Sequence, residues 1–393
     1  MKRLIIALLV FCGTQSYSQP MHLSEKAEIS IITCGPSYKE VYSAFGHSAI
    51  RVVDPEFGFD YAFNYGVFDF DKPNFYLNFA KGRNYYLLAV YDYANFEWPY
   101  VRDNRFVHEQ VLNLTQSQKE KVFSFLLWNA KPENRTYRYD YYQDNCATKI
   151  RDVLVEQLGS DITIDSSFLA PTHSFRQKTD EYLDQLPWGD LGIDICLGLP
   201  IDRTMSAREY MFLPDYIEAF VDHTTIKSDS AIISLVKEKR IINQDTQEQS
   251  KISFVHPWIA GSGLLLIVAF LSWYDWRRKK ISKWLDVLLF GVIGLIGLLL
   301  ITLWLFTDHH DAARNFNLVW AFPFHFFAAI LTLKKNRPHL LTKYFKVTSI
   351  MLGATLLFWW LIPQQLNVFL IPVVVALLVR AVLFSTLFKK STE

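Results

Sequence analysis

The sequence predicts an α+β domain outside the cytoplasm, followed by an all-α transmembrane bundle of about five helices. Three observations indicate this organisation. Residues 1–18 have the pattern of a secretory signal peptide, and residues 19–254 are polar and mixed, with no apolar run long enough to span a bilayer. Long apolar stretches dominate the chain after residue 254. The net charge of +1 and the lack of a basic tract give no indication of nucleic-acid binding.

The predicted signal peptide begins with Lys2 and Arg3. They precede an apolar stretch at residues 4–11, which is too short to cross a membrane, and small residues lie near the expected cleavage point. After its removal three cysteines remain: Cys34, Cys146 and Cys196. An odd number of cysteines in an oxidising compartment leaves at least one thiol free or paired with another chain. The first and third could pair with each other or remain buried thiols.

The domain at residues 19–224 has strand patterns followed by helical patterns, which is typical of an α+β fold. Strand patterns cover residues 29–33, 47–53 and 61–68. In the second strand, His47 and Arg51 are expected on one face, and Ile50 and Val52 on the other. Apolar residues at helical spacing cover residues 117–129 and 144–158.

The membrane part is expected at residues 256–388, after a polar and charged tether at residues 225–255. Its apolar spans are residues 257–274, 284–306, 318–333, 347–361 and 366–388. Lysines and arginines concentrate in the loops after the first and third spans and at the C-terminus. By the positive-inside rule, these loops and the C-terminus are cytoplasmic and the large domain is periplasmic. The signal peptide independently requires the same orientation.

Cys146 is the strongest candidate for a nucleophile. It lies near the start of the predicted helix at residues 144–158, with Asp144 as the expected N-cap. The free backbone N–H groups and the positive end of the helix dipole lie in this first turn. They favour a thiolate, and they are placed to receive a developing oxyanion.

His47 is the candidate base, at the start of a strand and directly after Gly46, which lets another segment approach closely. A third polar group would orient the imidazole. Asn64 on the next predicted strand is the first choice, and Asp60 is the second. The simpler interpretation makes Cys146 a small core residue and His47 a structural histidine. The combination of a Gly-His strand, an Asn-Cys helix start and an unpaired thiol favours the catalytic interpretation.

Five residues are candidates for substrate binding: Asp60, Tyr142, His309, Asn315 and Asn317. Tyr142 is expected to line the thiol pocket or to pack in the core. The last three follow the second span on its outer side, where they would contact lipid headgroups or lie in a solvated loop. The sequence predicts no cofactor and no metal site.

Several motifs together resemble those of one protein family. They are residues 34–36, 42–51, 60, 63–70, 145–148, 150–152, 211–214, 309 and 315–318. Over nearly its whole length, the chain resembles the Lnb-type lipoprotein N-acyltransferases. The order of a strand histidine before a helix-start cysteine is also similar to that of the circularly permuted papain-like (NlpC-like) enzymes, which include the lecithin–retinol acyltransferase group.

The resemblance implies a permuted papain-like periplasmic domain anchored in the bacterial inner membrane. It also implies that Cys146, activated by His47, takes an acyl chain from a membrane phospholipid as a thioester. The α-amine of a diacylated lipoprotein would then accept this chain. Two other classes remain open: a periplasmic cysteine peptidase or amidase acting on cell-wall peptides, and a non-enzymatic membrane receptor or assembly factor. Five spans exceed what a wall hydrolase needs as an anchor, which favours acyl transfer.

Overall fold

A computed structural model of the chain describes residues 22–68, 73–228, 231–247, 256–334 and 339–387. The expected signal peptide and the last part of the expected tether lie outside these ranges. The described chain has a sheet-rich N-terminal part and a helical C-terminal part. The predicted α+β organisation with a C-terminal membrane bundle is therefore confirmed.

The strands of the N-terminal part are, in chain order, β1 (Glu28–Cys34), β2 (His47–Asp54), β3 (Phe59–Val67), β4 (Tyr85–Asp92), β5 (Val107–Leu112), β6 (Thr136–Arg138), β7 (Ile162–Ile164), β8 (Thr224–Ser228), β9 (Ala231–Ser234) and β10 (Val236–Asn243). Within the described residues, seven of them form one antiparallel sheet in the order β10-β5-β1-β2-β3-β4-β6. The strands β7, β8 and β9 form a small second sheet. The three strands predicted from the sequence are β1, β2 and β3, with ends within two residues of the prediction.

The helices of this part are α1 (Phe75–Ala80), α2 (Tyr93–Arg102), α3 (Gln116–Asn129), α4 (Cys146–Leu158), α5 (Phe175–Tyr182), α6 (Pro187–Cys196) and α7 (Pro214–Asp222). Helices α3 and α4 pack on one face of the main sheet, where Ile50 and Phe63 join Phe123 in the main core. Helix α2 covers the opposite face, where Ala49 packs with Phe96. The alternation predicted for β2 is therefore confirmed, because consecutive side chains point to opposite faces of a sheet.

The tether prediction for residues 225–255 is wrong for most of the part that the structure describes. Strands β8 and β9 lie in the second sheet, and β10 pairs with β5 at the edge of the main sheet. On β10, Lys239 pairs with Asp222, and Arg240 pairs with Glu28. Charged side chains are common on an edge strand because they discourage pairing with another chain. Composition alone therefore does not distinguish such a strand from a tether.

The helical C-terminal part contains α8 (Pro257–Arg278), α9 (Lys283–Phe306), α10 (Phe324–Thr332), α11 (His339–Leu357) and α12 (Ile371–Leu387). Within the described ranges, four spans are long and apolar enough to cross a membrane, and they correspond to α8, α9, α11 and α12. A fifth span is present if the helical segments His310–Val319 and Phe324–Thr332, bent by 41°, are taken as one.

Two of the expected spans differ from the structure. The third, at residues 318–333, is not a straight helix, because its helical segments are separated by a break that contains Pro323. Proline has no backbone N–H to continue the helical hydrogen bonds. The fourth, at residues 347–361, corresponds to a helix that begins earlier, at His339.

Candidate active site

Helix α4 begins one residue later than the sequence analysis expects. Asn145, and not Asp144, is the N-cap: its side chain accepts from the Thr148 N–H at 2.9 Å, and the Thr148 hydroxyl accepts from the Asn145 N–H at 2.7 Å. This reciprocal pair is a capping box. Asp144 instead forms an ion pair with Lys149. Cys146 is therefore the first residue of the helix.

The side chain of Asn145 also fixes this helix start in the core. It is buried, and its amide donates to the backbone carbonyls of Tyr141 at 2.8 Å and Phe212 at 2.7 Å. Aspartate could cap the helix but could not donate these two bonds. An asparagine at this position therefore both caps α4 and fixes the position of the adjacent Cys146.

The structure brings Cys146, His47 and Asn64 together. The His47 Nε2 lies 2.6 Å from the Asn64 Oδ1. Because an amide oxygen only accepts, Nε2 carries the hydrogen and donates to Asn64. The His47 side chain also shares a hydrogen bond with the Cys146 thiol. Asn64 thus orients the imidazole, in the role that the sequence analysis gives it first.

Charge interactions within this group favour an ion pair. Burial raises the pKa of the Cys146 thiol, but the adjacent His47 and the backbone N–H groups of Ser48 and Ala147 more than offset it, and the pKa falls below its ordinary value. Burial lowers the pKa of His47, whereas the Cys146 thiolate and the Asn64 hydrogen bond raise it, and the net direction is upward. The thiolate and the imidazolium therefore stabilise each other, which is the state that a cysteine nucleophile needs.

The other two described cysteines lack this environment. Cys34 is buried in β1, and Cys196 ends α6, and both are free thiols, so neither bonds to the other. Burial raises the pKa of each of them. Of these three thiols, Cys146 alone has a pKa shifted toward the thiolate form.

Sequence reasoning missed three residues that lie around Cys146 and His47. Gly66 on β3 has a φ of +87°, and a Cβ there would lie 3.6 Å from the Cys146 Cβ, 3.9 Å from the His47 Cε1 and 3.9 Å from the Tyr139 Cε2. The Tyr139 ring therefore lies with Cys146 and His47 around Gly66. Tyr100 stacks against the His47 ring, with centroids 6.4 Å apart. A glycine inside a strand pattern signals a bulge or a close approach, and this signal was present at Gly66.

Asp60, the second choice for the orienting group, is engaged elsewhere. Its carboxylate accepts from Arg51 at 2.8 and 2.6 Å, and Arg51 also donates to Glu109 at 3.1 Å. Asp60 lies four residues before Asn64 on the same strand, so it points to the same face but is far along the strand. The structure therefore gives it an ion pair and no contact with His47.

Tyr142 packs in the core. It is buried among Tyr141, Phe175 and Phe212, and its hydroxyl lies 3.1 Å from the Thr179 hydroxyl. Of the two placements considered for this residue, core packing is the one that the structure has.

Asn315 and Asn317 join the two parts of the protein. Both are buried: Asn315 donates to the carbonyl of Ile195 at 2.8 Å, and Asn317 donates to that of Asp194 at 2.8 Å. The expectation that they contact lipid headgroups is wrong, because their amides bond the C-terminal end of α6, whose carbonyls lack helical partners. His309 makes a similar contact, since its Nε2 lies 3.1 Å from a carbonyl of α1.

Within the described part of the chain, one group of acidic side chains is close enough to hold a cation. Oxygens of Asp180, Asp190 and Asp194 lie within 4.8 Å of one another. Asn367 donates to the second and third of these, and Arg176 pairs with the third. Burial raises the pKa of Asp180 to about 9 and that of Asp190 to about 6. Protons shared among these carboxyl groups are therefore an alternative to a bound cation as the means of reducing their mutual repulsion.

Comparison with known proteins identifies both parts of the chain. The family model of the Lnb N-terminal periplasmic domain matches residues 22–181, and the model of the Lnb transmembrane domain matches residues 247–392. No curated protein and no solved structure matches the chain. The first model covers His47, Asn64 and Cys146, and the two together cover most of the sequence. The chain therefore belongs to the Lnb-type proteins, which have a periplasmic N-terminal domain and a C-terminal transmembrane domain.

Proposed function

We propose that this protein is a lipoprotein N-acyltransferase. It moves an acyl chain from a membrane phospholipid, through a thioester on Cys146, to the α-amine of a diacylglyceryl-cysteine lipoprotein. The observation that carries the proposal is the Cys146–His47–Asn64 group, held in a domain that packs directly on a membrane bundle. The family supports it as well.

In the first step, the Cys146 thiolate attacks the ester carbonyl of the phospholipid. The Thr148 N–H is bonded to Asn145, but the N–H groups of Cys146 and Ala147 at the start of α4 have no earlier helical carbonyl to bond and are available as donors to the oxyanion. The His47 imidazolium then gives its proton to the departing alkoxide oxygen. The products are an acyl thioester on Cys146, a lysophospholipid and a neutral His47.

In the second step, the lipoprotein amine attacks the thioester carbonyl. Neutral His47 takes the proton that the amine loses, an amide bond forms, and the carbon–sulfur bond breaks. Cys146 leaves as the thiolate, beside an imidazolium, so the starting ion pair is restored. Asn64 keeps the imidazole in one orientation through both proton transfers.

Both substrates have acyl chains in a bilayer, which explains why the catalytic domain is fixed to a membrane bundle. Helix α9 ends at Phe306, and the following residues contact the periplasmic domain, so Lys283 at its start lies on the opposite side. Arg277 and Arg278 end α8 on that side too. Basic residues on the side away from the domain support an inner-membrane protein with a cytoplasmic C-terminus.

The test uses the full-length protein in phospholipid vesicles with a synthetic diacylated lipopeptide. Mass spectrometry should detect a third acyl chain on the peptide with the wild type and none with Cys146→Ser. A lipopeptide with an acetylated α-amine is the matched control and should remain unchanged. A lipopeptide that is cleaved rather than acylated would replace this proposal with a peptidase. A Cys146→Ser variant that still acylates it would refute the role of the thiol.

A further inference from the structure

A continuous series of aromatic rings leads away from the thiol. It begins at Tyr139, which borders Gly66 together with Cys146 and stacks on Tyr86 with ring centroids 4.3 Å apart. The series continues from Tyr86 to Phe68 at 5.1 Å, then to Phe75 at 6.1 Å. Helix α1 begins at that residue, so these rings connect the site to α1.

Helix α1 is attached to the turn that follows the transmembrane helix α9. The carbonyl of Lys81 accepts from the Asp308 N–H at 2.8 Å, and the Arg83 side chain pairs with the Asp308 carboxylate at 3.0 Å. A Cβ on Gly82 would lie 2.8 Å from the backbone of Asp308 and of His309, so the two segments touch. These contacts place α1 at the level where α9 leaves the membrane.

The outer side of α1 is apolar and exposed. Tyr76 is 73% exposed and Phe79 is 51% exposed, and Leu77 between them is exposed as well. At the end of α9, Leu305 and Phe306 are also exposed. Aromatic rings with a polar tip are favoured at the membrane–water interface, and a contiguous exposed apolar set marks a contact surface.

We infer that α1 inserts into the outer leaflet, and that the aromatic series is the path along which an acyl chain of a membrane lipid reaches the Cys146 thiol. The inference rests on the proposed function and names how its lipid substrate enters. The occupant is a lipid chain rather than a protein because the exposed face of α1 lies on a segment bonded to the turn at which the membrane-spanning helix α9 ends, and the last residues of α9 are exposed and apolar as well. A chain lying against these rings would also keep water from the thioester.

The experiment compares two acyl donors on the full-length protein. One is phospholipid in vesicles of phosphatidylethanolamine and phosphatidylglycerol, and the other is water-soluble p-nitrophenyl acetate. Acylation of Cys146 is followed by mass. The double variant Tyr76→Ser with Phe79→Ser should lose at least about tenfold in rate with vesicles and stay within about twofold with the soluble ester.

Two further variants separate the inference from general damage. Phe57→Ser with Trp128→Ser removes two exposed rings that belong to other elements, the β2–β3 turn and α3, and should leave both rates unchanged. Replacing Tyr76 and Phe79 with leucine keeps the apolar face and should retain most of the vesicle rate. An unchanged vesicle rate in the double serine variant would overturn the inference while the proposed function stood. A wild type that reacts with the soluble ester but never with phospholipid would overturn the proposed function itself.

Discussion

Replacing His47 with alanine should slow the chemistry of Cys146 by a predictable amount. The variant loses the positive partner that lowers the pKa of the thiol, while the burial that raises the pKa remains. In the variant, burial still raises the pKa and the backbone N–H groups of Ser48 and Ala147 still lower it, so the reference is an ordinary thiol with a pKa of about 8.5, which is about 3% ionised at pH 7. If the wild-type thiol is largely ionised, its ionised fraction is at most about 30 times that of the variant. Because a thiolate of low pKa is also a weaker nucleophile, the wild type should react about 3- to 30-fold faster than His47→Ala at pH 7.

The assay is the rate of iodoacetamide alkylation of the Cys146 peptide, measured by mass spectrometry from pH 5 to 10. In the wild type the rate should rise at a pH below that of an ordinary thiol, and in His47→Ala the rise should move to higher pH. His108→Ala, which removes a histidine bound to Glu218, is the control and should match the wild type. If the profiles of wild type and His47→Ala coincide, the ion pair does not exist and the catalytic argument fails.

Three further substitutions test the supports of the fold, each by thermal unfolding in detergent. Gly66→Ala should destabilise the protein by about 1–2 kcal/mol because of its left-handed φ, and an unchanged midpoint would contradict the assigned backbone. Asn145→Ala should cost about 2–4 kcal/mol, since it removes the helix cap and two buried donors, and a loss below about 0.5 kcal/mol would contradict this role. Arg380→Met should cost about 3–5 kcal/mol because it removes the buried guanidinium that pairs with both Asp275 and Asp286. Replacing Asp275 and Asp286 with asparagine in the Arg380→Met variant should restore much of this stability, and no recovery would contradict the pairing.

The sequence predicts the pairing of Cys146 with His47 because each lies at the start of a regular element. Strand and helix starts are read from local patterns, and the adjacent strand then supplies Asn64 through short-range antiparallel pairing. Four of the five predicted apolar spans correspond to helices long and apolar enough to cross a membrane for a similar reason, since a bilayer imposes a length on each helix, whereas the third corresponds to a bent pair of helical segments.

The N-cap of α4 could not be settled in this way. Asp144 and Asn145 have similar capping preferences, and the choice depends on two carbonyls, one of them from Phe212, 67 residues away in the chain. The contacts of Asn315 and Asn317 with α6 are also long-range, and no local pattern reports them. Polar residues near a membrane surface can form hydrogen bonds with lipid or with protein equally well. Which partner they have is determined by how the periplasmic domain packs on the transmembrane helices.

The strand β10 shows a different limit. Its sequence is charged along much of its length, and a strand at the edge of a sheet needs no alternation strong enough to be recognised. Its pairing with β5 is specified by backbone hydrogen bonds and by ion pairs such as Arg240 with Glu109 on β5. Neither is visible in the local composition.

The most direct test of the account is the intact mass of the purified full-length protein after incubation with phospholipid. The account predicts an added acyl mass on Cys146 that hydroxylamine removes, that a diacylated lipopeptide discharges, and that Cys146→Ser never acquires. A wild-type protein that gains no acyl mass while its phospholipid remains intact would contradict it.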